Sequence, residues 1–299
     1  MKKVLITGAA GFIAPHIIKK CLRAGWLVYG IDIRDPKDFS CVSHANYIFN
    51  KKDVRHLVLA DLQSIDYIFH LAFVTNIPNS INNPLTTTND NINMTAYLLD
   101  LASQAKIKKF LFPSTASLYG NNPIPWRENM MPEPIEPYSW QKLACEQACV
   151  MWRKCYGLPT VVFRFFQVFG ENQRPDTALF AFLKAKREGR PITLTETTAQ
   201  STFRTAQRDF IYVEDLADAV VKAAVSSKTG NGEIINIGSG KVITMEKVAR
   251  AVGGKIVFIP KRNFEVERHQ ADISLAKKLL NWKPKTKIID WLNKMKLKL

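Results

Sequence analysis

The feature that most constrains this chain is its opening, MKKVLITGAAGFIAPH, where the short β-branched run KKVLIT ends in a glycine turn. A segment with helical periodicity, GFIAPHIIKKCLRAG, leaves that turn and stops at Gly25. One strand–turn–helix unit cannot bury its own apolar surface, so it needs a second parallel strand reached by a crossover. The chain supplies several: WLVYGID, YIFN, DYIFHLAF, then a helix over NDNINMTAYLLDLASQA, the strand KKFLFPS, a helix from about Tyr138 to Cys155, and PTVVFRFF. This alternation predicts an α/β fold, a doubly wound parallel sheet with helices on both faces. After Gly170 the rhythm breaks, with a helix expected at TALFAFLKAKREG, a strand plus helix over RDFIYVEDLADAVVKAAV and a strand at EIINIGSG. The expected organisation is a nucleotide-binding domain over 1–168, with 207–240 returning to it. A smaller, discontinuous C-terminal substrate lobe comes from 169–206 and 241–299.

The glycine turn fits a Rossmann-like dinucleotide site. Its first glycine makes the tight turn, the second lets backbone approach a pyrophosphate, and the third position allows helix and strand to pack. Gly8 and Gly11 fill the first two tasks, and Ala14 is an allowed residue in the third. Pro15 falls in the first helical turn, where a missing N–H costs little. Asp32 closes the next strand, 21 residues after Gly11. An acid there can accept the adenosine-ribose hydroxyls and would repel a 2′-phosphate, which favours NAD. Arg34 keeps NADP open.

Composition narrows the classes. With 299 residues, 46% hydrophobic and 23% charged, the chain can bury a full core. It has no apolar run near the roughly 18 residues of a membrane span. The start has only a three-residue apolar run, VLI, too short for a signal peptide. These readings predict a cytoplasmic protein. The odd count of five cysteines does not suggest a disulfide scaffold, and neither Cys145 with Cys149 nor Cys41 with His44 has the companions of a zinc site. The net charge of +16 is compatible with nucleic acid, an anionic membrane surface or an anionic substrate. Near the C-terminus Ile288, Leu292, Met295 and Leu299 recur at helical spacing among lysines, which predicts a docked terminal helix with a solvated basic face.

The stretch YSWQK places Tyr138 and Lys142 one helical turn apart. A free phenol, with a pKa near ~10, is a poor base at neutral pH. A neighbouring ammonium and an oxidised nicotinamide favour the phenolate, which can then take a proton from a sugar hydroxyl while hydride leaves the same carbon. Upstream, FLFPSTASLYG puts a hydroxyl cluster at the end of a strand, where such sheets bind ligands; Thr115 or a neighbour could hydrogen-bond the reacting oxygen.

Taken in order, TGAAGFIA, GIDIRD, HLAF, NINMT, STASLYG, YSWQK, RFFQVFG, RDFIYVEDLADA, NIGSG and ADISLAKKLLNWKP make the chain resemble the extended short-chain dehydrogenase/reductase family, in its NAD-dependent epimerase/dehydratase branch. The general pattern is similar to UDP-galactose 4-epimerase and relatives. The resemblance implies that Gly8, Gly11, Phe12 and Ile13 line the pyrophosphate and that Asp32 meets the adenosine ribose. It implies that Asp53 and Val54 flank adenine and that Leu71 and Ala72 pass beside the cofactor. Tyr138 would be the base, Lys142 would also hold the nicotinamide ribose, and Thr115 would occupy the catalytic Ser/Thr position. Gln167 stands where relatives usually carry Asn near the sugar phosphate. Arg208 would grip the substrate diphosphate. Arg262 and Glu265 would bind diphosphate and nucleoside ribose, although the family pair is usually Arg and Asp. Phe73 and Pro113 replace smaller residues beside the cofactor. The segment TETTAQSTFRTAQ is longer than usual and lacks the family's Gly-Asp-Gly turn. Relatives often pair through the helices near Asn91–Ala105 and Tyr138–Cys155, so a homodimer is expected.

The residues after Thr115 separate the reactions. Dehydratases of this type usually carry Asp-Glu there, and decarboxylases Glu; here Ala116 and Ser117 follow. The expected activity is therefore 4-epimerisation of a nucleotide-diphosphate sugar, UDP-hexose by default, through a transient 4-keto intermediate and tightly bound NAD. An NAD(P)H-dependent reductase of a nucleotide-linked 4-keto sugar is the alternative. A non-catalytic dinucleotide-binding regulatory protein is a reading of another class, which the complete Thr115, Tyr138 and Lys142 set disfavours. No nucleic-acid or membrane partner is expected.

Overall fold

A computed structural model describes residues 1–36, 43–175, 177–261 and 266–296. The opening strand, β1 (Lys3–Thr7), buries Val4, Leu5 and Ile6 almost completely, as a strand covered on both faces must. It is followed by α1 (Ala14–Arg23), β2 (Leu27–Asp32), β3 (Tyr47–Lys51), β4 (Tyr67–His70), the short α2 (Ile77–Asn82) and α3 (Pro84–Thr88), and α4 (Met94–Gln104). Then come β5 (Lys109–Thr115), α5 (Pro137–Tyr156), β6 (Thr160–Phe165), β7 (Gln167–Phe169), α6 (Ala178–Arg187), β8 (Ile192–Thr195), β9 (Gln207–Tyr212) and α7 (Val213–Val225). The chain continues through β10 (Asn231–Ile237), β11 (Val242–Thr244), α8 (Met245–Val252), β12 (Ile256–Ile259), α9 (Ser274–Leu280) and α10 (Ile288–Lys296).

Seven strands form one parallel sheet in the order β10-β6-β5-β4-β1-β2-β3. The doubly wound sheet expected from the alternation is therefore present. Side chains alternate across it. Leu111 and Phe163 join Ile17, Ile18 and Val220 of α1 and α7 on one face. Phe110, Phe112 and Val162 meet Leu98 and Leu99 of α4 and Cys145 and Cys149 of α5 on the other. The strand order reverses between β1 and β4, and ligands bind at the carboxyl edge beside such a reversal.

The remaining strands build a smaller layer. β7, β9 and β11 form a three-stranded sheet, and β8 pairs with β12. β9 thus belongs to the small sheet, and the return to the large one runs through α7 and β10. A separate core of Phe169, Phe182, Leu194, Phe210 and Val248 holds this layer, and α10 completes it with Ile288, Trp291 and Leu292. The terminal helix therefore docks its apolar face on the protein, as its spacing predicts; Leu299 lies outside the described residues. No helix among the described residues is long and apolar enough to cross a membrane.

The unusual segment before Arg208 is a closed hairpin. Glu196 bridges Thr205, and the Arg204 guanidinium lies 2.9 Å from the Glu196 carboxylate. Glu267 ties it down by accepting from the Thr198 N–H at 2.8 Å, from Lys261 at 2.9 Å and from the Ser201 hydroxyl.

Candidate active site

Where the carboxyl edge of the large sheet faces the small layer, a cavity of about 1320 Å³ opens. Its walls bring together Gly8, Gly11, Phe12, Ile13, Asp32, Asp53, Val54, Leu71, Ala72, Thr115, Tyr138, Lys142, Gln167 and Arg208. Arg262 and Glu265 lie outside the described residues, as does Cys41. Among the described residues no three His, Cys, Asp or Glu side chains converge as a metal site would require.

The glycine turn is built for close approach. Gly8 adopts φ +68°, and a Cβ there would stand 2.6 Å from the Ala72 nitrogen. Gly11 donates to the Gly8 carbonyl at 2.9 Å and closes the turn. Helix α1 starts at Ile13 with no side-chain cap, and Pro15 takes a first-turn position. Its leading N–H groups are therefore left for an anionic group at the positive end of the helix dipole. Asp32 ends β2 and is buried, accepting from the Ala10 N–H at 3.0 Å and the Arg34 N–H at 2.9 Å. These bonds fix its carboxylate at the cavity wall and leave lone pairs for ribose hydroxyls. Asp53 caps a short turn and pairs with Arg55, which also reaches Asp90 at 3.0 Å. The Arg55 hydrogen bond holds the Asp53 carboxyl below the usual range.

The reacting end is set by β5 and α5. Thr115 is the last residue of β5, accepts from the Ser117 N–H at 3.2 Å, and donates to the Ser117 hydroxyl at 3.1 Å. Helix α5 starts with Pro137, and Glu136 caps it by accepting from the Tyr138 and Ser139 N–H groups at 2.8 and 3.0 Å. That cap places Tyr138 in the first turn, in the cavity wall that Thr115 also lines. Burial pushes the Tyr138 phenol up to about 12, against the lowering effect of the Thr115 hydroxyl and the Arg174 charge. Burial also brings Lys142 down to about 7. The Lys142 ammonium donates to the Pro113 carbonyl at 2.7 Å. Ser114 Oγ is buried in the cavity wall with no hydrogen-bond partner among the described residues. An uncapped helix start, a backbone cradle, a buried acid and an orphaned hydroxyl along one cavity fit a dinucleotide.

The sequence assigned no site role to Arg174, in the cavity wall, or to Asn91, whose bonds tie down the loop leading into it. Arg174 lines the wall and donates to Thr75 across it. Asn91 sits buried in a π-turn, Asn89–Asn93, of a kind frequent at functional sites. It accepts from the Val74 N–H at 2.7 Å and donates to the Val74 carbonyl at 3.0 Å and to Gln141 at 2.8 Å, tying the loop after β4 to α5. The only advance sign of Asn91 was its place in NINMT. Two other motif stretches are structural. Asp209, next to Arg208, accepts from the N–H groups of Ser239, Gly240 and Ala271 at 2.6, 2.9 and 3.0 Å, so RDF anchors both NIGSG and ADIS. Arg208 itself donates to the Gln207 and Glu267 carbonyls and borders the cavity.

Comparison with known proteins agrees with this geometry. The model of the NAD dependent epimerase/dehydratase family matches residues 4–238. The chain belongs to this family. One relative is a Bacillus subtilis protein described as the uncharacterized UDP-glucose epimerase YtcB, 32% identical, with 97% of this chain and 95% of that protein covered. Among solved structures, UDP-glucuronic acid 4-epimerase from Bacillus cereus, in complex with UDP-glucuronic acid and NAD, superposes with a TM-score of 0.88 at 30% identity, covering 97% of this chain and 96% of that one. UDP-N-acetylglucosamine 4-epimerase from Methanobrevibacter ruminantium M1, in complex with UDP-N-acetylmuramic acid, gives 0.89 at 27% identity, covering 100% and 99%.

Proposed function

We propose that the chain is an NAD-dependent nucleotide-sugar 4-epimerase whose proton-transfer group is Tyr138. The observation that carries this reading is the convergence of Thr115 and Tyr138, with Lys142 one turn on, in the wall of the cavity that also holds Gly8, Gly11 and Asp32. When bound, NAD supplies reversible acceptance of the sugar C4 hydride. Tyr138, as phenolate, takes the O4 proton and later returns it. Thr115 would orient the same oxygen, and a charged Lys142 one turn on would favour the phenolate against burial. Gly8, Gly11, Phe12 and Ile13 would hold the pyrophosphate, Asp32 the ribose, Asp53 and Val54 the adenine, with Leu71 and Ala72 along the cofactor. Arg208 would keep the substrate diphosphate in place while the 4-keto sugar turns over, with Gln167 beside it and Arg262 and Glu265 completing the nucleoside site.

The carboxylates lining the described cavity support epimerisation over elimination. They are Asp32, Asp53 and Asp90, on the β2–β3 side of the cavity. The turn that follows Thr115 starts instead with Ala116 and Ser117. UDP-hexose is the proposed substrate, by analogy with the ligands of the related structures. The proposed lobes are 1–168 with 207–240 for the cofactor, and 169–206 with 241–299 for the substrate. A homodimer through α4 and α5 is supported by the large side chains these helices expose, Tyr97, Trp140 and Met151. A cytoplasmic setting is supported by the unpaired thiols of Cys21, Cys145, Cys149 and Cys155.

The test is NMR of products from UDP-, dTDP- and GDP-hexoses without added cofactor. Interconversion of C4 epimers is expected, and Tyr138→Phe should keep the fold while losing nearly all turnover. Activity only with added NADH or NADPH would replace the epimerase by a reductase. Comparable turnover in Tyr138→Phe would overturn the mechanism.

A further inference from the structure

Lys142 is held in an environment that water does not supply. Its ammonium is nearly buried, yet no carboxylate among the described residues bonds to it. Three contacts hold it: the Pro113 carbonyl at 2.7 Å, the Phe73 ring with its centroid at 3.5 Å, and the Phe112 ring at 4.6 Å. Cys145, Glu146 and Cys149 on the same helix favour its charged form, and its charge in turn acts on His70 at the end of β4. The two rings differ in kind. Phe112 is a fully buried residue of β5, packed in the sheet core. Phe73 lies just beyond β4 in the cavity wall and is only partly buried. Its ring also stands edge-to-face with Tyr138, centroids 6.1 Å apart and planes at 78°. One aromatic side chain thus meets both members of the proton-transfer pair, its face toward the cation and its ring crossing that of the phenol.

The electrostatics of that contact have a definite sign. A ring face carries negative charge density and attracts an ammonium, most strongly where water is excluded. The contact favours the charged form of Lys142 and opposes the burial that drives it toward neutrality. A charged Lys142 in turn favours the Tyr138 phenolate. An aliphatic side chain of similar size would exclude water equally well but leave the ammonium without this partner.

We propose that Phe73 is a positioning residue of the active site, an aromatic clamp that keeps Lys142 charged and thereby makes Tyr138 available as a base. The assignment rests on the epimerase reading for its effect on turnover, but its effect on the Tyr138 phenol does not.

The test compares Phe73→Leu and Phe73→Tyr in the full chain. The phenolate of Tyr138 is followed by near-ultraviolet difference absorbance against pH, with Tyr138→Phe as the blank. Phe73→Leu should move the Tyr138 ionisation to higher pH and lower kcat at neutral pH by about three- to thirtyfold, the span of a desolvated cation–π contact. KM for the sugar nucleotide should stay within about twofold. Phe73→Tyr, which keeps a ring face, should recover most of the phenolate signal. In a Lys142→Met background, Phe73→Leu should have no further effect on the ionisation, because the cation through which the ring acts is gone. An unchanged Tyr138 titration in Phe73→Leu would overturn the proposal. So would an equal shift in the Lys142→Met background, which would assign Phe73 to packing alone. Failure of Tyr138→Phe to abolish turnover, with the Phe73 titration behaving as expected, would count against the epimerase mechanism and leave the clamp standing.

Discussion

Arg164 and Glu146 form an ion pair that water does not reach, with Nη2 2.8 Å from Oε2 and both side chains at most 2% exposed. Glu146 lies one turn beyond Lys142 on α5, and Arg164 lies beside Ser114 in the β5–β6 register. The pair therefore clamps the helix carrying Tyr138 and Lys142 onto the strand next to Thr115. Breaking one side of a buried pair leaves an uncompensated charge, so Glu146→Gln should cost about 3 to 5 kcal/mol. Replacing both partners, Glu146→Leu with Arg164→Met, should recover most of that loss. Urea midpoints of the single and double variants check this; a single variant as stable as the parent would show that the clamp contributes nothing.

Gly8→Ala tests the cofactor turn. The new Cβ would meet backbone atoms of Leu71 and Ala72 below 3.0 Å, in a left-handed conformation that costs any L-residue about 1 to 2 kcal/mol. Gly25 has a similar φ, +73°, but open space around the added carbon. Gly25→Ala should therefore show only the conformational penalty, while Gly8→Ala should lose more stability and should fail to retain dinucleotide. Melting temperature and cofactor released on denaturation, measured on both, separate the two effects.

The contrast between these two glycines shows what the sequence could and could not convey. An apolar, β-branched run revealed β1 and helical periodicity revealed α1, because both signals lie within a single segment of chain. Tyr138 and Lys142 were legible for the same reason, since a helix brings i and i+4 together. The clash that Gly8 avoids comes from the loop after β4, so the turn was recognisable but its reason was not. Phe73 stood out only as a large residue in HLAF; its contact with Lys142 needs β4 and α5 to meet across the sheet. Arg174 and the Asn91–Gln141 bond are likewise products of tertiary packing, which no local spacing encodes.

Lys109 supplies a stability test remote from the proposed proton-transfer residues. It starts β5, and its buried ammonium donates to the Ala223 and Ser226 carbonyls at 2.9 and 2.8 Å and to the Thr229 hydroxyl at 3.0 Å. It thus closes the C-terminal end of α7, where a cation meets the negative end of the helix dipole. Lys109→Met keeps the stem and removes the donors, so it should destabilise the protein by about 2 to 4 kcal/mol. Turnover by the folded variant should be unchanged. A large loss of kcat at full folding would contradict this purely structural role.

His70 should make the fold sensitive to acid. It ends β4 with no exposure, sharing a hydrogen bond with Thr7 at 2.8 Å and another with Thr95 at 3.2 Å. Burial, aided by the Lys142 charge, brings its imidazole down to about 3 from an ordinary 6.5. Because the folded value lies below the unfolded one, neutral His70 contributes its full stability above pH 6.5. As pH falls the unfolded chain binds the proton first, so that stability is lost progressively and is gone near pH 3. The full difference amounts to roughly 4 to 5 kcal/mol. His70→Gln can still hydrogen-bond but does not titrate. Its unfolding free energy should therefore fall less steeply than the parent's between pH 6.5 and 3, whatever its stability at neutral pH. Parallel slopes for the two proteins would mean that His70 takes up its proton in the native state as readily as in the unfolded chain, and that the Thr7–His70–Thr95 chain linking β1, β4 and α4 does not hold it neutral.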